Sequence, residues 1–222
     1  MKKAFTIIEL LVVTGIISLL ASIIVPVLAR VRTTARVLVV NMELRDIGLA
    51  LDMYTRNNKL ENDGDNQNYP PTRADCWDRD NMYQLPKELV ECGYLPKPST
   101  QGWVSTGIED RFNKGRTYKY QAVGDIIKNF GQVQKNKSWL IVPPKFPAFE
   151  GEPETDKIYF DPEKSPVKWA IYSLGPNFDH VEMGNLHYPV PRRSWYDESK
   201  QKGVIVRMKL KNGSQIGTFT EN

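Results

Sequence analysis

The chain has 222 residues and a formal net charge of +4 at pH 7, too small an excess to mark a general nucleic-acid binder. Its two cysteines are too few for a disulfide-rich scaffold, and its length leaves room for one ordinary domain plus an extended segment.

The N-terminus carries the most information. Residues 5–29 contain one ionisable side chain, Glu9, and follow the basic pair Lys2-Lys3. About 20 apolar residues cross a bilayer core as a helix, so this segment is predicted to span a membrane. A carboxylate in such a span costs roughly 2.5–3.5 kcal/mol at mid-membrane and less near its ends. A secretory signal has only about 7–15 apolar residues before a small-residue cut and a polar mature start. Here Leu20-Ala21-Ser22 is followed by more apolar residues. A plain anchor fits the length, but leaves Glu9 and the abrupt Lys3-Ala4-Phe5 boundary without a purpose.

This pattern resembles the N-terminus of type IV pilins and of the pseudopilins of type II secretion systems. In that family a short basic leader is cut just before an aromatic residue, the new N-terminus is methylated, and the fifth mature residue is Glu. The resemblance implies a cut between Ala4 and Phe5, with Glu9 fifth in the mature chain and Phe5-Thr6-Ile7-Ile8-Glu9-Leu10-Leu11-Val12-Val13 following the family pattern. Pro26 falls where many members carry a proline. Ala4 departs from the usual Gly, and its small size is compatible with the cut. The resemblance assigns filament assembly to Phe5, Glu9 and Pro26. Glu9 would neutralise the cationic amine of a neighbouring subunit's Phe5, a pair that is strong in low dielectric and sets axial register. A first-turn acid favoured by the helix dipole is the simpler account of Glu9, worth about 0.3–1 kcal/mol. The family orientation places Lys2 and Lys3 in the cytoplasm. Arg30, Arg32 and Arg36 at the far end favour the reverse by the positive-inside rule alone.

Helical periodicity continues beyond the apolar run. Val40, Leu44, Ile47, Leu51 and Tyr54 recur at steps of 4, 3, 4 and 3 on one helix face. Arg36, Glu43, Arg45, Asp46 and Asp52 lie on other faces. Asn57-Asn58 and the polar run after Glu61 end the pattern. Residues 5–57 are thus predicted to form one helix of roughly 80 Å, kinked at Pro26, whose stripe after residue 30 buries against a head.

Residues 58–222 hold all five Trp and both Cys and read as that head, with a turn-rich variable region at 61–137 and a sheet at 138–222. A short helix is predicted over 85–94, opening at Pro86. Strands are predicted over 138–142, 157–160 and 167–174. Val204, Val206, Met208 and Leu210 alternate with Arg207, Lys209 and Lys211, and Asn212-Gly213 predicts a type I′ turn returning through 215–219.

Cys76 and Cys92 would close a loop worth about 3 kcal/mol as a disulfide, the reading favoured if the head is extracytoplasmic. Unpaired thiols are the alternative. Their spacing, with His180 and His187, does not make a zinc site. Tyr172-Ser173-Leu174-Gly175 is similar to a segment that precedes the calcium loop of major pseudopilins. That similarity nominates Asn177, Asp179 and Glu182 as Ca2+ ligands, although Asn177-Phe178 replaces the family's Asp-Gly. No nucleophile elbow, zincin motif or phosphate loop is present in the sequence, so no enzyme is expected. Asp75, Asp78, Asp80, Glu109 and Asp110 are expected on the solvated surface. Lys114, Arg116, Lys119 and Lys128 interleave with Phe112, Tyr118, Tyr120 and Phe130, a pattern that can bind single strands. In a strand-rich region it more often marks core aromatics between exposed lysines, so nucleic acid is not an expected partner.

The expectation is therefore an α+β, pilin-like fold. Residues 1–4 are a prepilin leader, 5–29 a transmembrane and filament-core helix, 30–57 its amphipathic continuation, and 58–222 a head on an antiparallel sheet. The resemblance implies a subunit of a type II secretion or type IV pilus-like filament, whose partners are copies of itself, a prepilin peptidase and an inner-membrane assembly platform. It also implies residence in the cytoplasmic membrane with the head outside the cytoplasm. The alternative is a single-pass anchored binding domain that never polymerises.

Overall fold

The structure, a computed structural model, describes residues 6–57, 69–73, 83–99, 105–128, 131–134, 162–177 and 194–220. Helix α1 (Ile7–Asn57) runs unbroken for 51 residues, or ~76 Å at ~1.5 Å per residue. It is followed by β1 (Thr72–Arg73), the short helix α2 (Glu88–Glu91), β2 (Lys119–Ala122), β3 (Ile126–Lys128), β4 (Gln132–Gln134), β5 (Val167–Ser173), β6 (Ile205–Leu210) and β7 (Gln215–Gly217). A single 3-10 turn, Thr218–Thr220, comes after β7. Among the described residues, β2-β5-β6-β7 form one antiparallel sheet. A second, mixed sheet has the order β1-β3-β4, with β1 parallel to β3. The fold is α+β, with one long apolar helix ahead of sheets.

The predicted stripe is what α1 buries. Val40, Leu44, Ile47 and Leu51 are fully enclosed, Tyr54 packs at the edge, and Val37 and Ala50 extend the contact. They meet Trp169 and Ile171 of β5, Ile205 of β6, and Tyr118 and Tyr120 at β2. Ala170, Tyr172, Val206 and Met208 fill a second cluster, as the two-residue period of a strand requires. Both sides of β5 and β6 are thus covered.

The alternation of β6 holds, but of its basic side only Lys211 faces water. Lys209 Nζ reaches Asp52 of α1 at 2.8 Å. Arg207 lies beside Gly48, stacks its guanidinium 3.8 Å from the Phe219 ring centroid, and donates to Gln215. The sheet therefore grips the helix through cations as well as through its core.

Three local expectations are corrected. Asn212-Gly213 is not a type I′ turn, because only Gly213 has positive φ, at 91°. Gly213 N–H donates to Leu210 O and Leu210 N–H to Ser214 O, which fits a three-residue loop with a left-handed last residue. The Asn212 carboxamide oxygen accepts from the Ser214 N–H and hydroxyl instead. The helix expected over 85–94 shrinks to the four residues of α2. Gly93 at φ 77° lets the Tyr94 and Leu95 N–H groups turn back onto Leu89 O and stop it. Thirdly, Lys119 is buried rather than exposed. The strands expected over 138–142 and 157–160 lie outside the described residues.

Candidate assembly helix and its surroundings

Thr6 and Glu9 form a reciprocal cap at the start of α1. The Thr6 N–H and hydroxyl both donate to Glu9 Oε2, at 2.9 and 2.8 Å, and the Glu9 N–H donates back to Thr6 Oγ1 at 3.3 Å. This is a capping box, Thr-x-x-Glu. The motif was readable in Thr6-Ile7-Ile8-Glu9, yet the expectation for Glu9 weighed only the helix dipole and a neighbouring amine. Ala4 and Phe5 lie outside the described residues.

Beyond the cap, α1 stands free. Its apolar side chains from Ile7 to Val31 are exposed on all sides. By length and composition the helix can cross a membrane. The Thr14 hydroxyl donates to Leu10 and Leu11 carbonyls and that of Ser22 to Leu19, so these groups need no water. Pro26 sits within the unbroken helix and lacks the N–H that would bond to Ser22.

A second apolar stripe escaped the sequence reading. Val13, Ile17, Leu20, Ile24, Leu28, Val31, Leu38, Met42, Leu49 and Met53 are all exposed, and their spacing of three, four or seven puts them on one face. It lies opposite the stripe that grips the head. The free half therefore continues past residue 31 as a ribbon of apolar side chains.

Polar groups at the seam have fixed structural partners. Glu43 of α1 accepts from Arg111 and from the Tyr118 hydroxyl. Burial, reinforced by Glu43, pushes the Tyr118 phenol far up. The Tyr69 phenol is pushed up to about 12, first by burial and then by the charge of Asp52.

Asp110 contradicts its expected place on the surface, being only 2% exposed. The Ser173 hydroxyl bridges both of its oxygens at 2.7 and 2.8 Å, and the Phe112 N–H and Asn113 amide also donate to it. It thereby pins the loop before β2 to the end of β5. Burial pushes its carboxyl above the ordinary value of 3.8, against the opposing pull of those donors. The folded chain thus holds this proton more tightly than the unfolded chain does. The resulting stability is fully present below the unfolded value and declines as pH rises through the raised folded value. Asp110→Asn cannot titrate. The melting temperature of the wild type minus that of the variant is expected to fall as pH rises from about 4. A difference that rises over that range would show the donors outweighing burial.

The remaining nominated residues are only partly placed. Asn177, at φ 54°, donates its side-chain amide to Gln201 O at 3.0 Å, linking two loops. Asp179 and Glu182 lie outside the described residues, so the Ca2+ set is not brought together on view. Among the described residues no three His, Cys, Asp or Glu side chains converge as metal ligands. Cys92 is exposed and makes no disulfide with a described residue, and Cys76 lies outside them. Of the aromatics interleaved with lysines, Tyr118 and Tyr120 are fully buried and present no face to a base.

No family model, curated protein or solved structure matches this chain.

Proposed function

We propose that the chain is a pilin-like structural subunit, most like a pseudopilin, of a type II secretion or type IV pilus-like filament. Prepilin peptidase cuts it between Ala4 and Phe5, and an inner-membrane assembly platform polymerises it through its N-terminal helix. Before assembly it resides in the cytoplasmic membrane as a single-pass protein with its head outside the cytoplasm. The observation that carries this reading is the free half of α1, apolar all round and opened by a lone acid at Glu9. Such a surface must be covered by lipid or by other helices. The exposed ribbon from Val13 to Met53 supports the second kind of cover, because it continues alongside the head, beyond the reach of a bilayer core.

The reading is tested by the mass of the N-terminal peptide after expression with a prepilin peptidase. A chain beginning at methylated Phe5 is expected. An intact Met1, or a cut beyond Ala21, removes the filament reading.

One observation favours the second reading, an anchored domain that does not polymerise. The Thr6–Glu9 capping box gives Glu9 a local purpose that requires no neighbouring subunit. Glu9→Gln separates the two.

A further inference from the structure

Arg30, Arg32 and Arg36 follow the apolar span directly, and all three are exposed. None makes an ion pair among the described residues. The sequence holds no acid between Glu9 and Glu43, and Glu43 is already engaged by Arg111 and Tyr118. Among the described residues the three cations thus have no ion-pair partner where α1 would leave the hydrocarbon layer. Of the two acids that follow Tyr196, Asp197 is taken by Lys200 at 3.2 Å and Glu198 makes no ion pair with them.

Their arrangement indicates what surrounds them. At ~100° per residue, Arg32 and Arg36 lie about 200° and 240° round the helix from Arg30. A single protein neighbour covers one side of a helix, whereas a layer of headgroups surrounds it. The six-residue step from Arg30 to Arg36 rises ~9 Å, close to the roughly 5–8 Å depth of one headgroup layer. The head begins at the same level: the half-buried Tyr196 packs beside Thr34, one helical turn after Arg30. The guanidinium fork matches phosphate oxygens.

We infer that Arg30, Arg32 and Arg36 form a collar that binds the phosphates of anionic phospholipids on the head side of the membrane. With the head outside the cytoplasm, as proposed above, the collar would also account for arginines on the side that the positive-inside rule disfavours, because it holds the helix at a fixed depth with the base of the head against the headgroups. This inference rests on the membrane-spanning reading of α1 and is independent of polymerisation.

The test uses the full chain in phosphatidylcholine vesicles with spin-labelled phosphatidylglycerol or spin-labelled phosphatidylcholine as the probe. The fraction of motionally restricted probe reports which lipid lies against the protein. The wild type is expected to prefer phosphatidylglycerol by about fivefold or more at low salt, with the preference shrinking at about 0.5 M salt. The triple variant Arg30→Gln, Arg32→Gln, Arg36→Gln is expected to restrict both probes equally, and lysine at the same three positions to restore the preference. Equal restriction by the wild type, or a preference that survives in the glutamine variant, overturns the collar while leaving the span intact. If neither protein restricts any probe, the spanning reading fails and takes the collar with it.

Discussion

Glu9→Gln is expected to enter the membrane as well as the wild type and to fail to polymerise. Glutamine serves in a capping box as glutamate does, so the Thr6 contacts at 2.9 and 2.8 Å have a replacement acceptor. Insertion loses nothing, since the variant takes one less charge into an apolar span. What disappears is the charge that would face the Phe5 amine of the next subunit. Two unit charges ~4 Å apart attract by about 4 kcal/mol at an effective dielectric near 20, and ~1.4 kcal/mol already changes association tenfold. Filament recovered by shearing and sedimentation should therefore fall at least tenfold, with membrane-bound subunit unchanged. Thr6→Ala has the opposite profile: it removes the cap, at about 0.5–2 kcal/mol, and keeps the charge. It is expected to polymerise. Assembly by Glu9→Gln together with failure of Thr6→Ala would reduce Glu9 to a helix cap and leave an anchored domain.

The parts of the fold that were legible are those encoded by local periodicity. The buried stripe of α1 was readable because 3.6 residues per turn turns the spacing of Val40, Leu44, Ile47 and Leu51 into a face. β5 and β6 were readable as apolar or alternating runs closed by turn residues. Strand β2 was hidden because its Lys119 and Gln121 look exposed in sequence, yet both are buried on the face opposite Tyr118 and Tyr120. The partner of Asp110 is Ser173, 63 residues away, and no local pattern announces a contact at that range. Asn212-Gly213 signalled a hairpin correctly, but the pairing of Lys209 with Gln215 leaves a longer loop than two residues, and register decides turn type. The exposed ribbon was missed for another reason. Leu38, Met42, Leu49 and Met53 interleave with the head-facing stripe, so the helix lacks the one-sided pattern by which a docking face is normally recognised. The cut after Ala4, the disulfide and the calcium loop depend on residues outside the described part of the chain.

Trp169→Ala is expected to loosen the head from α1 and to produce the largest loss of stability of any single substitution considered. Trp169 is fully enclosed and follows a register shift in β5. Its ring edge meets the helix at Gly48, where a Cβ would lie 3.0 Å from Cη2. Tyr69 adds an edge-to-face contact at 6.4 Å and 71°. Truncating a buried Trp costs about 3–5 kcal/mol, which for a head of this size lowers the melting temperature by roughly 6–20 °C. Gly48→Leu attacks the same joint from the helix side by overfilling it, at about 1–3 kcal/mol or more. Near-UV circular dichroism of the full chain in detergent should follow both losses, and a melting point for Trp169→Ala within about 2 °C of the wild type would show that the joint does not hold the head. Met42→Ala supplies the contrast. Met42 lies on the opposite face at 65% exposure, so its loss should leave stability within about 0.5 kcal/mol while weakening assembly. If stability and assembly separate in this way between Trp169 and Met42, one helix serves two surfaces at once. The inner surface would then fix the head, and the outer would stay apolar for a neighbouring helix that arrives only on polymerisation.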